Sequence, residues 1–330
     1  MGIRQNELNS WLKPHVKTTP MTLTPLAGDA SFRRYFRLTC GPLSYVVMDA
    51  PPEKESIASF LGIGHLLARK GVHTPKVHAV DKTLGFMLLE DLGDTLLIQA
   101  LSPDTANGLY AAAMETLRHM QQCPTEGLPL FDKAHMHQEL SLFREWFLKA
   151  YLGLQLTQQE DHLLNETFFW LTTQLALQPQ VFIHRDFHAR NIMICKEDPL
   201  ELGVIDFQDA MAGPFTYDLV SLLKDCYIQW PREQVLCWLT EFYHQLPQAF
   251  NVSLEDFIIA FDLCGLQRHL KVLGIFCRLH LRDHKAAYLN DLPLTFRYVM
   301  TCLSNHPKLQ AMSQWMQHRV HCSFSEKSPA

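Results

Sequence analysis

Three oxygen-bearing side chains in the middle of the sequence, Asp186, Asn191 and Asp206, have the chemistry to act on a phosphate group. Each lies beside a short apolar stretch, which places polar groups at the rim of a core rather than unpaired within it. A carboxylate accepts a proton from a hydroxyl group, while an amide and a second carboxylate supply two hard oxygen ligands for Mg²⁺. The pattern therefore indicates phosphoryl transfer, with Asp186 as the base and Asn191 and Asp206 as metal ligands.

A simpler interpretation of the same segment is a β-hairpin with a solvated polar tip. Asp186 and Asn191 would then serve only the geometry of the turn. The later apolar stretch that ends in Asp206 favours the catalytic interpretation, because a solvated hairpin tip does not require a further carboxylate at the end of the next strand.

The elements that must position these residues divide the sequence into a strand-rich beginning and a helical remainder. Short apolar or alternating stretches between glycine and proline signals predict a small antiparallel sheet, with strands over 21–26, 35–40, 45–48, 76–80 and 85–89. Helical spacing of apolar residues predicts helices over 57–70, 103–122, 136–151, 157–177, 216–228, 232–246, 253–280 and 293–304. One pair of apolar strands is expected within 181–206, and 322–330 is expected to be a frayed tail. The predicted fold is α+β, with a β-rich lobe over 1–92 and a larger, mainly helical lobe over 93–330.

Composition excludes several classes of protein. Hydrophobic residues make up 47% of the 330 residues and charged residues 19%, which is typical of globular proteins and not of disordered ones. A formal net charge of −5 does not favour nucleic acid or an anionic membrane as a partner. No apolar run approaches the roughly 20 residues of a membrane span, so a cytoplasmic protein is predicted. The nine scattered cysteines include no Cys-x-x-Cys pair and indicate reduced thiols, while the oligomeric state stays open.

Two motifs carry a resemblance to a known family. The stretch 184–191 has the pattern His-Arg-Asp-x-x-x-x-Asn of the kinase catalytic loop, and 206–208 carry Asp-Phe-Gln where protein kinases have Asp-Phe-Gly. Together they look like the aminoglycoside phosphotransferase and choline kinase branch of the kinase-like fold. This resemblance implies a two-lobed protein-kinase-like fold that uses ATP and Mg²⁺. Only five residues separate Gln208 from Pro214, which leaves no room for a peptide-docking activation segment, so a small acceptor is expected.

Four stretches resemble, in their order and spacing, the bacterial anomeric kinases that phosphorylate N-acetylmuramate and N-acetylglucosamine at C1 in peptidoglycan recycling. They are 28–37, 47–53, 206–214 and 267–274. The resemblance implies an amino sugar as the acceptor, and a sugar 1-phosphate and ADP as the products. Two alternatives remain: another small-molecule kinase of this branch, acting on an aminoglycoside, a choline-like alcohol or a different sugar, and a nucleotide-binding pseudokinase.

The implied nucleotide site departs from the protein-kinase pattern. The strand around 45–49 offers no lysine for the α- and β-phosphates, which is also the feature that raises the pseudokinase alternative. In the loop 28–35, Ser31 is predicted to donate to a phosphate oxygen, and Arg33 or Arg34 is predicted to replace the missing cation. An ordinary hairpin turn with surface arginines is the alternative for this loop.

The remaining predicted contacts concern the adenine and the acceptor. Glu90 and Leu92 lie in a stretch that resembles the interlobe hinge, whose backbone groups contact adenine. His188 is the second predicted catalytic residue, orienting the acceptor or the γ-phosphate, with a structural imidazole as the alternative. Asp209 is predicted to accept hydrogen bonds from sugar hydroxyls unless it is a solvated loop carboxylate. Arg268 is predicted to bind the carboxylate of a lactyl ether, with a charge on a solvated helix face as the alternative.

Overall fold

The structure is a computed structural model that describes residues 3–16, 20–26, 32–54, 56–195 and 200–327. The chain forms two compact units: unit 1 consists of Met1–Ala112 and Arg190–Asp209, and unit 2 consists of Ala113–Ala189 and Ala210–Ala330. Asn191 and Asp206 therefore belong to unit 1, while Asp186 belongs to unit 2. The division at residues 92 and 93 stays a prediction.

Unit 1 contains a five-stranded antiparallel sheet with the strand order β1-β2-β3-β5-β4. Its strands are β1 (Met21–Pro25), β2 (Arg34–Cys40), β3 (Leu43–Asp49), β4 (Val77–Asp81) and β5 (Phe86–Glu90). Gly41, with φ 58°, closes the tight turn between β2 and β3, a conformation that costs glycine nothing. The predicted N-terminal sheet is confirmed, with small shifts at the strand ends.

A helix that the sequence analysis did not predict packs against this sheet. In α1 (Ile3–Leu12), Leu8 and Leu12 are fully buried in one apolar cluster with Leu38 of β2 and Val47 of β3. Complete burial of a leucine side chain stabilises a fold by about 1.5–3 kcal/mol, so these two residues help to hold α1 against the sheet.

The expectation of a single strand pair within 181–206 is wrong. Three short strands occur in this part of the chain, β6 (Gln180–Ile183), β7 (Ile192–Ile194) and β8 (Leu202–Val204), and a fourth, β9 (Met211–Pro214), follows it. In unit 2, β6 pairs with β9, and in unit 1, β7 pairs with β8. The chain does not fold back directly after β6, because Arg185 takes the left-handed conformation with φ 75° and redirects the backbone.

The rest of the described chain is mainly helical. The helices are α2 (Ala58–Ala68), α3 (Leu97–Ala100), α4 (Ala106–Gln121), α5 (Lys133–Leu142), α6 (Gln158–Ala176), α7 (Tyr217–Leu223), α8 (Arg232–Tyr243), α9 (Leu254–Leu281), α10 (Leu292–Asn305), α11 (Gln310–Trp315) and α12 (His321–Lys327). A π-helical segment, Phe143–Tyr151, continues α5. The expectation of a frayed tail is wrong for 322–327, which are helical and bury Phe324. Within the described ranges, no helix has both the length and the apolar character needed to span a membrane.

The long helix α9 runs through the interior of unit 2. Ser253 caps its first turn by accepting the backbone N–H of Asp256 at 3.1 Å. Arg268 and Lys271 in its middle are 4% and 7% exposed, so the alternative of a charge on a solvated face is wrong for Arg268. Buried cations require nearby anions or dipoles, and α9 therefore brings charge into the interior of unit 2.

Candidate active site

Two carboxylates hold the loop that follows β6. Asp218, in the first turn of α7, accepts the backbone N–H groups of His184 and Arg185 at 2.6 and 2.9 Å. Asp225, which follows α7, accepts the backbone N–H of Ala189 at 3.0 Å. Burial raises the pKa of Asp218 to about 6, against the opposing effect of His184. Because both ends of the loop are bonded to one segment, the backbone around Asp186 is fixed without a ligand.

The predicted base, Asp186, lies in a cationic environment. Loss of water contact by itself would raise the pKa of its carboxyl group, but Lys271, His188 and Arg268 outweigh that effect and lower the pKa to about 2. The group is therefore ionised at neutral pH, as a proton acceptor must be. Unit 2 thus brings the predicted catalytic residues Asp186 and His188 and the predicted substrate residue Arg268 into one electrostatic cluster.

His188 extends this cluster. Its backbone N–H donates to the carbonyl oxygen of Asp186 at 3.0 Å, and its ring meets Tyr227 edge-on with 5.5 Å between centroids. Burial lowers the pKa of His188, although Asp225 and Asp186 act in the opposite direction. A neutral imidazole at neutral pH has one donor and one acceptor nitrogen, which suits contact with a hydroxyl group.

In unit 1, the two predicted metal ligands lie side by side. Asn191 Nδ2 is 3.5 Å from Asp206 Oδ2, and the backbone N–H of Ile205 donates to the carbonyl oxygen of Asn191 at 3.1 Å. The pairing of β7 with β8 brings them together, since Asn191 precedes β7 and Asp206 follows β8. An amide oxygen and a carboxylate are hard donors, and Mg²⁺ is bound by one or two such groups together with phosphates and water.

The Asp-Phe-Gln motif is anchored by its middle residue. Phe207 is fully buried and contacts the ring of Phe60 of α2 with 4.8 Å between centroids. The side-chain amide of Gln208 donates to Asp206 Oδ1 at 2.7 Å. The protein-kinase motif has glycine at this position, so it has no side chain that could make this bond. Asp206 itself has φ 65°, so its carboxylate is presented from a left-handed residue that the burial of Phe207 holds in place.

The sequence model of the phosphotransferase enzyme family matches residues 22–250. The chain belongs to this family. The phosphotransferase is 40% identical over 325 residues to an N-acetylmuramate/N-acetylglucosamine kinase of Pseudomonas aeruginosa, with 94% of this chain and 95% of that protein covered. A kinase of the same name from Pseudomonas putida is 40% identical over 297 residues, with 89% and 87% covered.

A solved structure supports the same fold for the phosphotransferase. The choline/ethanolamine kinase family protein from Mesorhizobium loti matches with a TM-score of 0.64 at 16% identity, covering 94% of this chain and 100% of that chain. The predicted family, the predicted kinase-like α+β fold and the predicted phosphotransferase class are confirmed. Enzymes of this kind take the phosphoryl group from a nucleotide.

The residues predicted to bind the phosphates are only partly described. Ser31 lies outside the described residues, and Arg33 is partly buried. Arg34 donates through Nε to Asp49 Oδ2 at 3.1 Å, and Arg4 of α1 donates to Oδ1 of the same carboxylate at 2.8 Å. Asp49 is fully buried, so in the phosphotransferase it serves as the shared anion that ties α1 to β2 and β3.

The predicted adenine contacts lie at the end of β5 and just after it. The Glu90 carboxylate accepts the backbone N–H of Lys76 at 3.1 Å and lies 3.2 Å from His73 Nε2, so its position is fixed within unit 1. Leu92 packs on the β7–β8 hairpin, where a Cβ added to Gly203 would come within 2.5 Å of Leu92 Cδ1. The Leu92 side chain occupies the space above Gly203, so a larger residue at 203 would require Leu92 to move. The nucleotide roles of Glu90 and Leu92 stay predictions.

The predicted acceptor residues differ in their surroundings. Asp209 is exposed, and Gln208 Nε2 donates to its Oδ2 at 3.4 Å. Arg268 Nη1 lies 3.7 Å from Cys226 Sγ, a weak acceptor. Among the residues that the structure describes, no carboxylate forms an ion pair with Arg268. Burial by itself would lower the pKa of this guanidinium, but neighbouring acidic groups that include Asp186 and Asp225 raise it, so Arg268 is a cation suited to an anionic ligand.

Sequence reasoning missed the acidic residue at the centre of the unit 2 cluster. Glu139 of α5 is 6% exposed, and Arg185 Nη2 and Lys271 Nζ each lie 2.8 Å from its Oε1. The one local signal was an acidic residue in a stretch of helical period, which by itself indicates a solvated face. Its partners come from distant parts of the chain, so no spacing rule reveals them.

Proposed function

We propose that this phosphotransferase transfers the γ-phosphoryl group of ATP to the anomeric C1 hydroxyl of N-acetylmuramate or N-acetylglucosamine. The observation that carries the proposal is the 40% identity, over 94% of this chain, with a kinase named for both sugars. The proposed role is the supply of sugar 1-phosphates in cell-wall recycling, and the use of ATP favours a cytoplasmic location.

Asp186 is the proposed base. An ionised carboxylate accepts the proton that the C1 hydroxyl releases as its oxygen attacks phosphorus. The cations Lys271 and Arg268 keep the carboxylate charged, and they offset negative charge that accumulates near the acceptor. The reaction needs little covalent chemistry from the protein, so most of the rate enhancement comes from positioning and charge neutralisation.

Asn191 and Asp206 are the proposed ligands of Mg²⁺. The 3.5 Å between their side chains and the oxygen character of both groups fit a shared hard cation. Asparagine contributes its carbonyl oxygen, which requires the amide to turn that atom toward the metal. A Mg²⁺ held by these two residues would neutralise negative charge on the phosphates of the nucleotide.

For the triphosphate, we propose Ser31 and Arg33 as contacts, with Glu90 and Leu92 at the adenine. Of the two candidate arginines, Arg34 pairs with Asp49 on β3, and Arg33 is the one proposed for the phosphates. For the acceptor, we propose that Arg268 binds the lactyl carboxylate of N-acetylmuramate, that His188 orients the reacting hydroxyl and that Asp209 accepts from a sugar hydroxyl. Arginine presents two parallel donors to a carboxylate, which lysine cannot do.

The experiment that tests this function is an acceptor survey. The protein is incubated with ATP, Mg²⁺ and a panel of N-acetylmuramate, N-acetylglucosamine, glucose, choline and kanamycin, and new phosphate esters are located by phosphorus NMR. A C1 phosphate on the two amino sugars, absent with Asp186→Asn, is the expected result. Turnover of choline or kanamycin alone would establish the other small-molecule kinase, and nucleotide binding without any transfer would establish the pseudokinase.

A further inference from the structure

Glu139 is the meeting point of three donors in unit 2. Its Oε1 lies 2.8 Å from Arg185 Nη2 and 2.8 Å from Lys271 Nζ, and its Oε2 accepts from Gln267 Nε2 at 3.1 Å. Burial would raise the pKa of Glu139, but Lys271 and Arg185 outweigh it, so the pKa is lowered and the group is a carboxylate. One anion on α5 thus bonds the loop after β6 and the middle of α9 at once.

The bond to Arg185 acts on a strained residue. Arg185 has φ 75°, a left-handed conformation that is unfavourable for a residue with a Cβ. Asp218 holds its backbone N–H, and Glu139 holds its guanidinium. The residue next to the base is therefore fixed at both its main chain and its side chain.

The ion pair with Glu139 holds Lys271, a cation that acts on the charge of the proposed base Asp186. Lys271 Nζ also donates to the Tyr217 hydroxyl at 3.3 Å, and it is the strongest of the cations that stabilise the ionised form of Asp186. Without Glu139, the ammonium group would lose its only carboxylate ion pair among the described residues and would be free to move toward Asp186. The position of Lys271 relative to the base therefore depends on Glu139.

Stability alone does not explain this arrangement. Buried ion pairs are often no more stabilising than apolar residues of the same size, because removing charges from water is costly. Two cations share one carboxylate here, and both flank the same base. Such a concentration of buried charge at a reacting group is typical of functional sites.

From this geometry, and resting on the proposed function, we infer that Glu139 is a positioning residue for the transfer reaction. By coupling Arg185 of the loop to Lys271 of α9, it fixes where the Asp186 carboxylate lies and which charge it faces. Glu139 acts through these two residues, so its loss affects the rate of transfer more than the binding of ATP or of the acceptor.

The test is a double-mutant cycle with Glu139→Gln, Arg185→Gly and the double variant, measured as kcat and KM for ATP and the amino sugar. Each single change is expected to lower kcat about tenfold or more while KM changes by less than about threefold. The double variant is expected to lose clearly less than the product of the two single losses, because both changes remove the bond between Glu139 and Arg185 and only the ion pair with Lys271 is lost in addition with Glu139→Gln. Additive losses in the double variant, or a kcat for Glu139→Gln within about twofold of wild type, would overturn the inference.

The matched control is Glu160→Gln. Glu160 is also partly buried in unit 2 and accepts from Thr157 and Trp315, neither of which belongs to the loop. This variant is expected to lose thermal stability and keep its kcat.

If Glu139→Gln does not fold, Arg185→Gly decides alone. Glycine relieves the strain at position 185, so a stable protein with reduced kcat supports the inference, and a fully active one overturns it. If wild-type protein phosphorylates neither sugar, the proposed function fails, and the cycle is measured on ATP hydrolysis instead.

Discussion

Gly274 of α9 lies directly against the backbone carbonyl of Leu142, the last residue of α5, with no space for a side chain between them. A Cβ added at 274 would also come within 2.6 Å of the backbone nitrogen of Phe143. Backbone atoms cannot move aside as the end of a long side chain can. This contact sets the distance between α9, which carries Arg268 and Lys271, and α5, which carries Glu139.

Replacing Gly274 with alanine is therefore expected to destabilise the protein. Overpacking of this kind costs about 1–3 kcal/mol, which for a chain of this length corresponds to a Tm roughly 1–5 °C lower. Thermal unfolding followed by circular dichroism measures the change. Gly62→Ala is the control, because a Cβ at this helical position meets nothing within 4 Å and alanine is favoured there. Equal Tm values for the two variants would contradict the close approach.

Replacing Asp186 with asparagine is expected to lower kcat by roughly 10²–10⁴-fold, since the amide cannot accept the acceptor's proton. The affinity for nucleotide should change little, because the proposed base does not contact ATP in the ground state. Steady-state kinetics and calorimetric titration with a non-hydrolysable ATP analogue measure the two effects. A variant that retains a tenth of the wild-type rate would exclude Asp186 as the base.

Replacing Lys271 with methionine is expected to change the pH dependence of turnover. Only the ionised base is active, so activity falls as the pH drops through the pKa of Asp186. In the wild type, cations hold this pKa near 2, and loss of the first of them, Lys271, lets burial raise it. The acid limb of kcat/KM should therefore move to higher pH in the variant, while Lys271→Arg should keep the wild-type profile. Superimposable profiles would show that Lys271 does not act on the base.

The two candidate phosphate-binding arginines are expected to respond differently to substitution. Arg33→Ala should weaken ATP binding about tenfold or more, as expected for the loss of a charged hydrogen bond. Arg34→Ala should leave the affinity nearly unchanged, because its side chain, half exposed, already pairs with Asp49. Isothermal titration of both variants with ATP and Mg²⁺ makes the comparison. A larger loss for Arg34→Ala would reverse the assignment.

The sequence predicted those features that depend on local pattern. Asn191 and Asp206 were expected to share a ligand because phosphoryl transfer needs two oxygen donors, and the structure places their side chains 3.5 Å apart, while their metal role stays a prediction. The strands of the five-stranded sheet were predicted from a local pattern, short apolar stretches between turn signals. The helix α1 was missed because two leucines, Leu8 and Leu12, do not form the apolar stripe by which an amphipathic helix is recognised in a sequence. The helix is stabilised by the packing of these leucines against the sheet.

Features that depend on distant partners were not predictable. The pairing of β6 with β9 places Val181 opposite Gly213, although the whole catalytic segment lies between them in the sequence. Neither stretch has a sequence pattern that predicts this pairing partner. The burial of Arg268 and Lys271 was likewise hidden, since charged residues are usually exposed. Their compensation by Glu139 on another helix is visible only once the fold is known.

The left-handed backbone of Asp206 has a consequence for protein engineering. A library selected only for heat resistance would favour glycine at this position, because glycine adopts φ 65° without strain. That substitution would remove the carboxylate proposed to hold the metal. Selection for thermal tolerance and selection for turnover should thus draw position 206 toward different amino acids, and a screen that scores both is needed to improve this enzyme.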